Sequence, residues 1–286
     1  MSDESGRVQG PAGLRIAAVR RVLTTLQPMK VALADQPPSH FMDVLDLVCR
    51  AAYIRQHEAL VGHVSASAAG HGHATVLILR PAFEEMLWLE YLGTLDAAIA
   101  RELLGLLTAQ EIGQGVEAQQ KHLGKRTMKE LGFSSHFVNQ TGRQLAETRR
   151  ALSKLGSRLG FPVGDQGRWF GPSMGDLAAI TGQEALYSFL YSGTSRTVHF
   201  SPAELMRRSW FGEDRTTHIS SDLFESYWAD FGLAWGTEIL MHTAVATLEL
   251  MPSEFEFEIP DTLLGEVEDL MSMGRVPIVT REEMNL

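Results

Sequence analysis

The segment LILRPAFEEMLWLEYL sets Arg80 and Glu84 four residues apart among Ile78, Leu79, Phe83, Leu87 and Leu89. On a helix that spacing puts both charges on one face, within reach of an ion pair. A second segment, YSFLYSGTSRTVHFS, repeats Tyr187, Tyr191, Ser195 and His199 at intervals of four. A continuous helix carries such residues along one stripe. Burying these groups is costly unless they satisfy one another. The economical arrangement sets Arg80 and Glu84 against Tyr191, Ser195 and His199. As structure, a buried polar cluster of this kind fixes helix register. As chemistry, a histidine beside a carboxylate and an arginine suits general acid/base work on a phosphodiester. His199 would then move the proton, and Arg196 or Arg80 would stabilise phosphate charge.

Spacing strikes out several other chemistries. No Gly-x-x-x-x-Gly-Lys and no Gly-x-Gly-x-x-Gly occurs, so the two common phosphate-cradling loops are absent. None of the ten histidines has a glutamate three residues earlier, which a di-iron helix bundle requires, and His-Glu-x-x-His is absent too. Glu238-x-x-x-His242 and His71-x-His73 are partial metal sets, and the first leaves a metal-dependent helical oxygenase as a third reading. No metal site and no cofactor is assigned. Gly171-Pro172-Ser173-Met174-Gly175 matches the hydrolase nucleophile elbow, but no βαβ alternation surrounds it. Ser173 followed by Asp176 and LAAI reads as a helix N-cap instead. Single Cys49 excludes an internal disulfide and reads as a buried thiol.

The elements that must position these residues show period-3.6 patterns almost throughout. Helices are expected at about 14–33, 40–64, 74–94, 96–122, 135–159, 183–198 and 221–251. Leu14, Ala17, Ala18, Val22 and Leu26 form the first apolar face, and Val44, Leu47, Val48, Ala51 and Ile54 the second. Ser39 is the expected N-cap of the second helix. Residues 208–219 fit a short hairpin around Gly212-Glu213-Asp214, and SEFEFEIPD and RVPIVT fit a short C-terminal strand or two. The fold class is all-α, a bundle of about seven or eight helices. Residues 1–13 form a disordered N-terminus, 14–251 the helical domain and 252–286 an acidic extension. Each of the two most apolar stretches carries at least three charged or titratable side chains, which a bilayer core penalises by roughly 2.5–3.5 kcal/mol per charge. No membrane association is expected, and the compartment expected is the cytoplasm.

Leu79-Arg80-x-x-x-Glu84, with Tyr91-Leu92 behind it, resembles the first block of an uncharacterised bacterial helical family, a domain of unknown function. Tyr191-x-x-x-Ser195-x-x-x-His199-x-Ser201 resembles its second block. The helical layout is loosely similar to HEPN domains, many of which are metal-independent ribonucleases of bacterial defence systems, with sites of the form Arg-x(4–6)-His often completed across a dimer. The function expected is an interaction or regulatory module, linked to phage defence and dimeric, whose buried polar cluster is mainly structural; the alternative, which the HEPN resemblance implies, is a metal-independent ribonuclease using His199. Arg196 and His199 have only two residues between them, whereas Arg50-x(6)-His57 fits the spacing with Ala51 in second place.

Charge supplies the last expectation. The chain of 286 residues carries −10, with 44% apolar and 21% charged residues, which excludes a surface that binds nucleic acid all over. Residues 121–158 nevertheless hold +7, leaving −17 for the rest. Arg143, Arg150 and Lys154 fall together on a face away from the leucine stripe, as substrate-binding candidates for an RNA backbone or an acidic protein. Residues 249–286 carry −8 and are expected to cover this basic face, within the chain or across a dimer.

Overall fold

The computed structural model describes residues 11–35, 43–162, 169, 171–211, 216–220, 222–251, 255, 257–273 and 276–279. The chain is an all-α bundle. In order come α1 (Pro11–Asp35), α2 (Val44–Ala68), α3 (His73–Gly93), α4 (Ala97–Glu130), α5 (Ser135–Arg158), α6 (Met174–Thr181), α7 (Glu184–Val198) and α8 (Pro202–Met206). Strands β1 (Ser209–Phe211) and β2 (Thr217–Ile219), a 3₁₀ turn, α9 (Glu225–Leu250) and α10 (Asp261–Ser272) follow. The expected hairpin is present, with Trp210 opposite His218 in antiparallel register, while its turn lies outside the described residues. No helix among the described residues is long and apolar enough to cross a membrane.

Helix α9 lies at the centre, against both α2 and α3. Its sequence explains why. FGLAWGTEIL places glycines four residues apart, and the two neighbouring helices close on that groove. A Cβ at Gly232 would lie 2.1 Å from Thr75 Oγ1 and 2.9 Å from His63 Nδ1, and one at Gly236 would lie 3.2 Å from Leu60. Thr75 Oγ1 donates across the crossing, 2.6 Å from Gly72 O and 3.0 Å from Trp228 O. Glu225 at the first turn of α9 accepts from the backbone N–H of Gly72, the residue that opens α3. One apolar core joins α1, α2, the second half of α9 and α10. The other joins α3, α7 and the first half of α9 with Trp169, whose ring lies where a side chain at Gly156 would project.

Several expected details differ. Asp43, not Ser39, caps α2, its carboxylate accepting from Leu45 N at 3.0 Å; Ser39 lies outside the described residues. The buried face of α2 is rotated from the apolar stripe and runs through Leu45, Asp46, Cys49, Arg50, Tyr53, Gln56, His57 and Leu60, leaving Leu47 exposed. Backbone carbonyls of α1 are the cause. Arg50 donates to Leu33 O at the C-terminal turn of α1, where carbonyls lack helical partners, and to Asp46 at 2.8 Å. Tyr53 donates to Leu26 O, and His57 Nε2 lies 3.3 Å from Leu23 O. Leu14 and Ala17 are accordingly exposed, and α1 buries Val19, Met29 and Leu33 in addition to Ala18, Val22 and Leu26. Helix α4 runs on past His122 through a break at Gly124, whose φ of 77° is left-handed. The C-terminal extension holds a helix, not strands, among its described residues: Leu263 and Leu270 of α10 are buried in the first core. That helix covers α1, with Thr25 donating to Glu266 at 2.9 Å, so within the chain it does not cover residues 121–158.

Two predictions follow from the crossing. Replacing Gly232 with alanine forces a methyl into Thr75 and should destabilise by about 1–3 kcal/mol. Gly105→Ala, on an open face of α4, should stabilise by about 1 kcal/mol, both read from urea unfolding. Burial lowers the pKa of His63 to about 4. Its contribution is complete above pH 6.5 and is lost as pH falls toward 4, because the unfolded chain takes up a proton that the native one refuses. Unfolding free energy should therefore drop by up to about 3 kcal/mol over that interval, with a flatter profile in His63→Gln.

Candidate functional site

Four of the predicted residues meet where α7 crosses α3. Arg80 Nε donates to Glu84 Oε1 at 3.0 Å, and Arg80 Nη1 lies 3.1 Å from His199 Nε2. The guanidinium carbon sits 4.8 Å from the centre of the Tyr191 ring, a cation–π contact. The bond from Glu84 is the first cause holding Arg80 more firmly protonated than usual.

Local sequence fixes each of these positions. Helix α3 continues through Pro81, which has no N–H to give to Leu77 O. Arg80 and Glu84 share one face, whereas Leu79, Phe83 and Leu87 are buried. Tyr187 stacks on Phe83 at 6.4 Å and leans on Tyr191 at 5.3 Å, so an aromatic run on α7 docks that helix onto α3. Burial is the first cause raising the Tyr187 phenol. His199 is the C-cap of α7, with φ −108° and ψ 163°, and its N–H donates to Ser195 O at 3.0 Å. Helix α8 begins at once, because Ser201 caps Glu204 N and Pro202 occupies the first helical turn.

The expected burial is not what the structure has. Tyr191 is 39% exposed, His199 is exposed, and the side chains of Arg80 and Glu84 are 21% and 35% exposed. Helix α7 ends at this edge, so nothing among the described residues roofs the last turn. Ser195 lies on the same helix, its carbonyl serving the cap, and Arg196 is exposed beside the cluster. The pair that fits Arg-x(6)-His spacing, Arg50 and His57, is buried and bound to carbonyls of α1, as described above. Burial also lowers the pKa of His57.

Arg143, Arg150 and Lys154 are all exposed on α5, away from this edge in sequence and on another helix. Ser173 behaves as the expected cap: its hydroxyl accepts from Asp176 N at 3.1 Å, and the Asp176 carboxylate accepts from Ser173 N at 2.9 Å. Cys49 is buried, and burial pushes its thiol up to about 12.

The local sequence pairing missed the partner of His242, which is Glu90. Nδ1 of His242 lies 2.8 Å from Glu90 Oε1, and Gln183 Nε2 donates to the same oxygen at 3.2 Å. This dyad lines a hollow of about 530 Å³ between α3, α9 and the α6–α7 junction, with Thr181 and Glu249. The i,i+4 spacing of Glu238 and His242 gave no sign of Glu90, 152 residues away. His73 Nδ1 approaches Glu225 at 3.4 Å, and His71 is exposed. Among the described residues no group of three or more His, Cys, Asp or Glu side chains converges as a metal set.

A family model described as a family of unknown function (DUF5677) matches residues 46–217, a span that contains both polar blocks and the basic segment. No curated protein and no solved structure matches the chain.

The hydrogen bond to Glu90 is the first cause raising the pKa of His242. The native state then holds that proton more tightly than the unfolded chain, so its stabilisation is complete below pH 6.5 and fades as pH rises through the native value. In urea unfolding, the stability of the wild type relative to Glu90→Gln should fall from pH 6 to pH 8.5, the opposite contributions of His63 and His57 being common to both proteins. An unchanged difference between the two proteins would refute the linkage.

Proposed function

The chain belongs to the DUF5677 family across residues 46–217, and from that premise we propose that it is a metal-independent ribonuclease acting at the open Arg80–His199 edge. One observation carries the reading: Arg80 Nη1 and His199 Nε2 stand 3.1 Å apart where a phosphate can reach both from solvent. Glu84 on Nε and the Tyr191 ring orient the guanidinium. In the reaction, Arg80 turns from His199 to the phosphate, which frees His199 Nε2 to take the proton of a ribose 2′-hydroxyl as that oxygen attacks the adjacent phosphorus. Arg80 offsets the charge that gathers on the non-bridging oxygens. The P–O5′ bond breaks, the proton held by His199 passes through water to the 5′-oxygen, and a 2′,3′-cyclic phosphate remains. Arg196, exposed next to His199, is a second phosphate contact. The reading places the chain in the cytoplasm, with its RNA substrate.

A second reading rests on a different observation. Val198, Phe200, Leu205 and Met206, all close to His199 in the chain, are exposed, Phe200 at 85%. Apolar groups gathered in this way mark interaction surfaces. Under that reading the chain is a regulatory interaction module, in phage defence or elsewhere, the patch receives a second copy of the chain, and the polar cluster only trims the edge.

Mixed RNA incubated with the protein in EDTA separates the two. The ribonuclease reading expects cleavage leaving 2′,3′-cyclic ends, a loss of at least 100-fold in His199→Ala, and a comparable loss in Arg80→Lys, with unchanged far-ultraviolet dichroism. Intact RNA across pH 5 to 9 would sink it and leave the interaction module.

A further inference from the structure

Helices α4 and α5 form an antiparallel hairpin whose outer part stands away from the bundle. Between residues 113 and 145 only Gly113, Met128, Val138, Thr141 and Leu145 are buried, and Gly113 packs on Leu145 of the facing helix. The inner end of α5 is anchored by Leu152 and Leu155 in the second core. This arm holds an unusual set of cations. The chain has five lysines, and four of them, Lys121, Lys125, Lys129 and Lys154, lie here. Three arginines of the arm are paired: Arg126 with Glu130, Arg149 with Glu117 and Arg158 with Glu102. Among the described residues no acidic side chain pairs with the four lysines, Arg143 or Arg150, and all six are exposed. Arg143, Arg150 and Lys154 are seven and four residues apart, so they lie within about 20° of one line along roughly 16 Å of helix. At the tip, Phe133 and Phe137 lean together at 5.8 Å, with Phe137 44% exposed.

We propose that this arm grips single-stranded RNA by its backbone, Arg143, Arg150 and Lys154 contacting successive phosphates and Phe137 offering a face to an unstacked base. Charge complementarity selects the partner. Lysine is depleted at protein–protein interfaces and is a routine phosphate contact. The remainder of the chain carries −17 and on balance repels a polyanion, so the arm is where one is drawn in. The acidic α10, the obvious internal competitor, is occupied with α1. An exposed aromatic is one means by which unstacked bases are held without sequence preference. The choice of RNA among polyanions rests on the ribonuclease reading, but binding and cleavage can be measured apart.

Fluorescence anisotropy of a labelled single-stranded RNA of about 20 nucleotides, in EDTA and in a His199→Ala background that leaves the probe intact, tests the arm directly. Changing Arg143, Arg150 and Lys154 together to glutamine should weaken binding at least tenfold. It should also flatten the log–log salt dependence by about 2, since each single-strand phosphate contact contributes roughly 0.7. Phe137→Ala should weaken binding without changing that slope. Unchanged affinity and slope in the triple variant would overturn the inference. So would wild-type chain that ignores RNA and binds phosphatidylserine vesicles instead. If the arm variants lose RNA while the wild type cuts none, the arm stands and the ribonuclease reading falls; cleavage with RNA binding unaffected by the arm changes means the reverse.

Discussion

Helix α9 can lie against both α2 and α3 only because positions 232 and 236 carry no side chain. The atoms that would meet a Cβ there belong to Thr75, His63 and Leu60, so one groove sets the spacing of three helices. Close approach exposes backbone polar groups to apolar surroundings, and they must find partners inside. Thr75 supplies one by donating to carbonyls on both sides of the crossing, and Glu225 supplies another at the start of α3. The crossing therefore fixes where α3 begins and which way it faces. Everything at the Arg80 edge inherits that orientation, since Arg80 and Glu84 lie on α3 at the margin of its buried face.

The same geometry explains why the polar cluster stays wet. Helix α7 is held along its length by Tyr187 on Phe83 and by buried Leu190. Further on, Gly193 lets it close to about 3.3 Å from Phe231 and Ile278, measured from where its Cβ would be. These anchors stop before the last turn. His199 then leaves the helix, and Ser201-Pro202 starts α8 in a new direction. An Arg–Glu–His set beside that turn keeps part of its hydration. Half-exposed charge pairs stabilise little, typically below about 1 kcal/mol, so fold stability gives weak reason for Arg80, Glu84 and His199 to be the residues at this corner.

Local signals in the sequence were legible wherever short-range chemistry decides. The Ser173–Asp176 cap needs only residues three apart, and the Arg80–Glu84 and Tyr191–His199 spacings each depend on one helix. The meeting of those two helices was anticipated from a burial argument, whereas the structure brings Arg80, Glu84, Tyr191 and His199 together at an exposed edge. Misreadings arose where a distant partner overrides the local pattern. The apolar stripe of α2 pointed to Leu47, yet the carbonyls of α1 draw Arg50, Tyr53 and His57 inward. Alternation in SEFEFEIPD masked the i,i+7 pair Leu263 and Leu270 just beyond it, which α1 receives. Glu238 looked like the companion of His242 because it is one turn away, while Glu90 arrives from another helix.

Electrostatics links the arm to the edge without requiring that they touch. A chain of net −10 that keeps +7 on 38 consecutive residues carries a separation of charge that costs self-repulsion within the arm. Three ion pairs relieve part of it, and the unpaired lysines retain the rest. Lysine there is informative because outside the arm arginine holds most of the bonded positions: among the described residues Arg15, Arg50, Arg80, Arg101 and Arg207 each hold a carboxylate, beside the single lysine pair Lys30–Glu58. Arginine's fork suits fixed bidentate pairing, and the ammonium of lysine suits a partner that slides. Under the proposed ribonuclease reading, a fixed pair at the edge and mobile charges on the arm would divide the work that a polyanionic substrate demands, positioning one phosphate while retaining its neighbours.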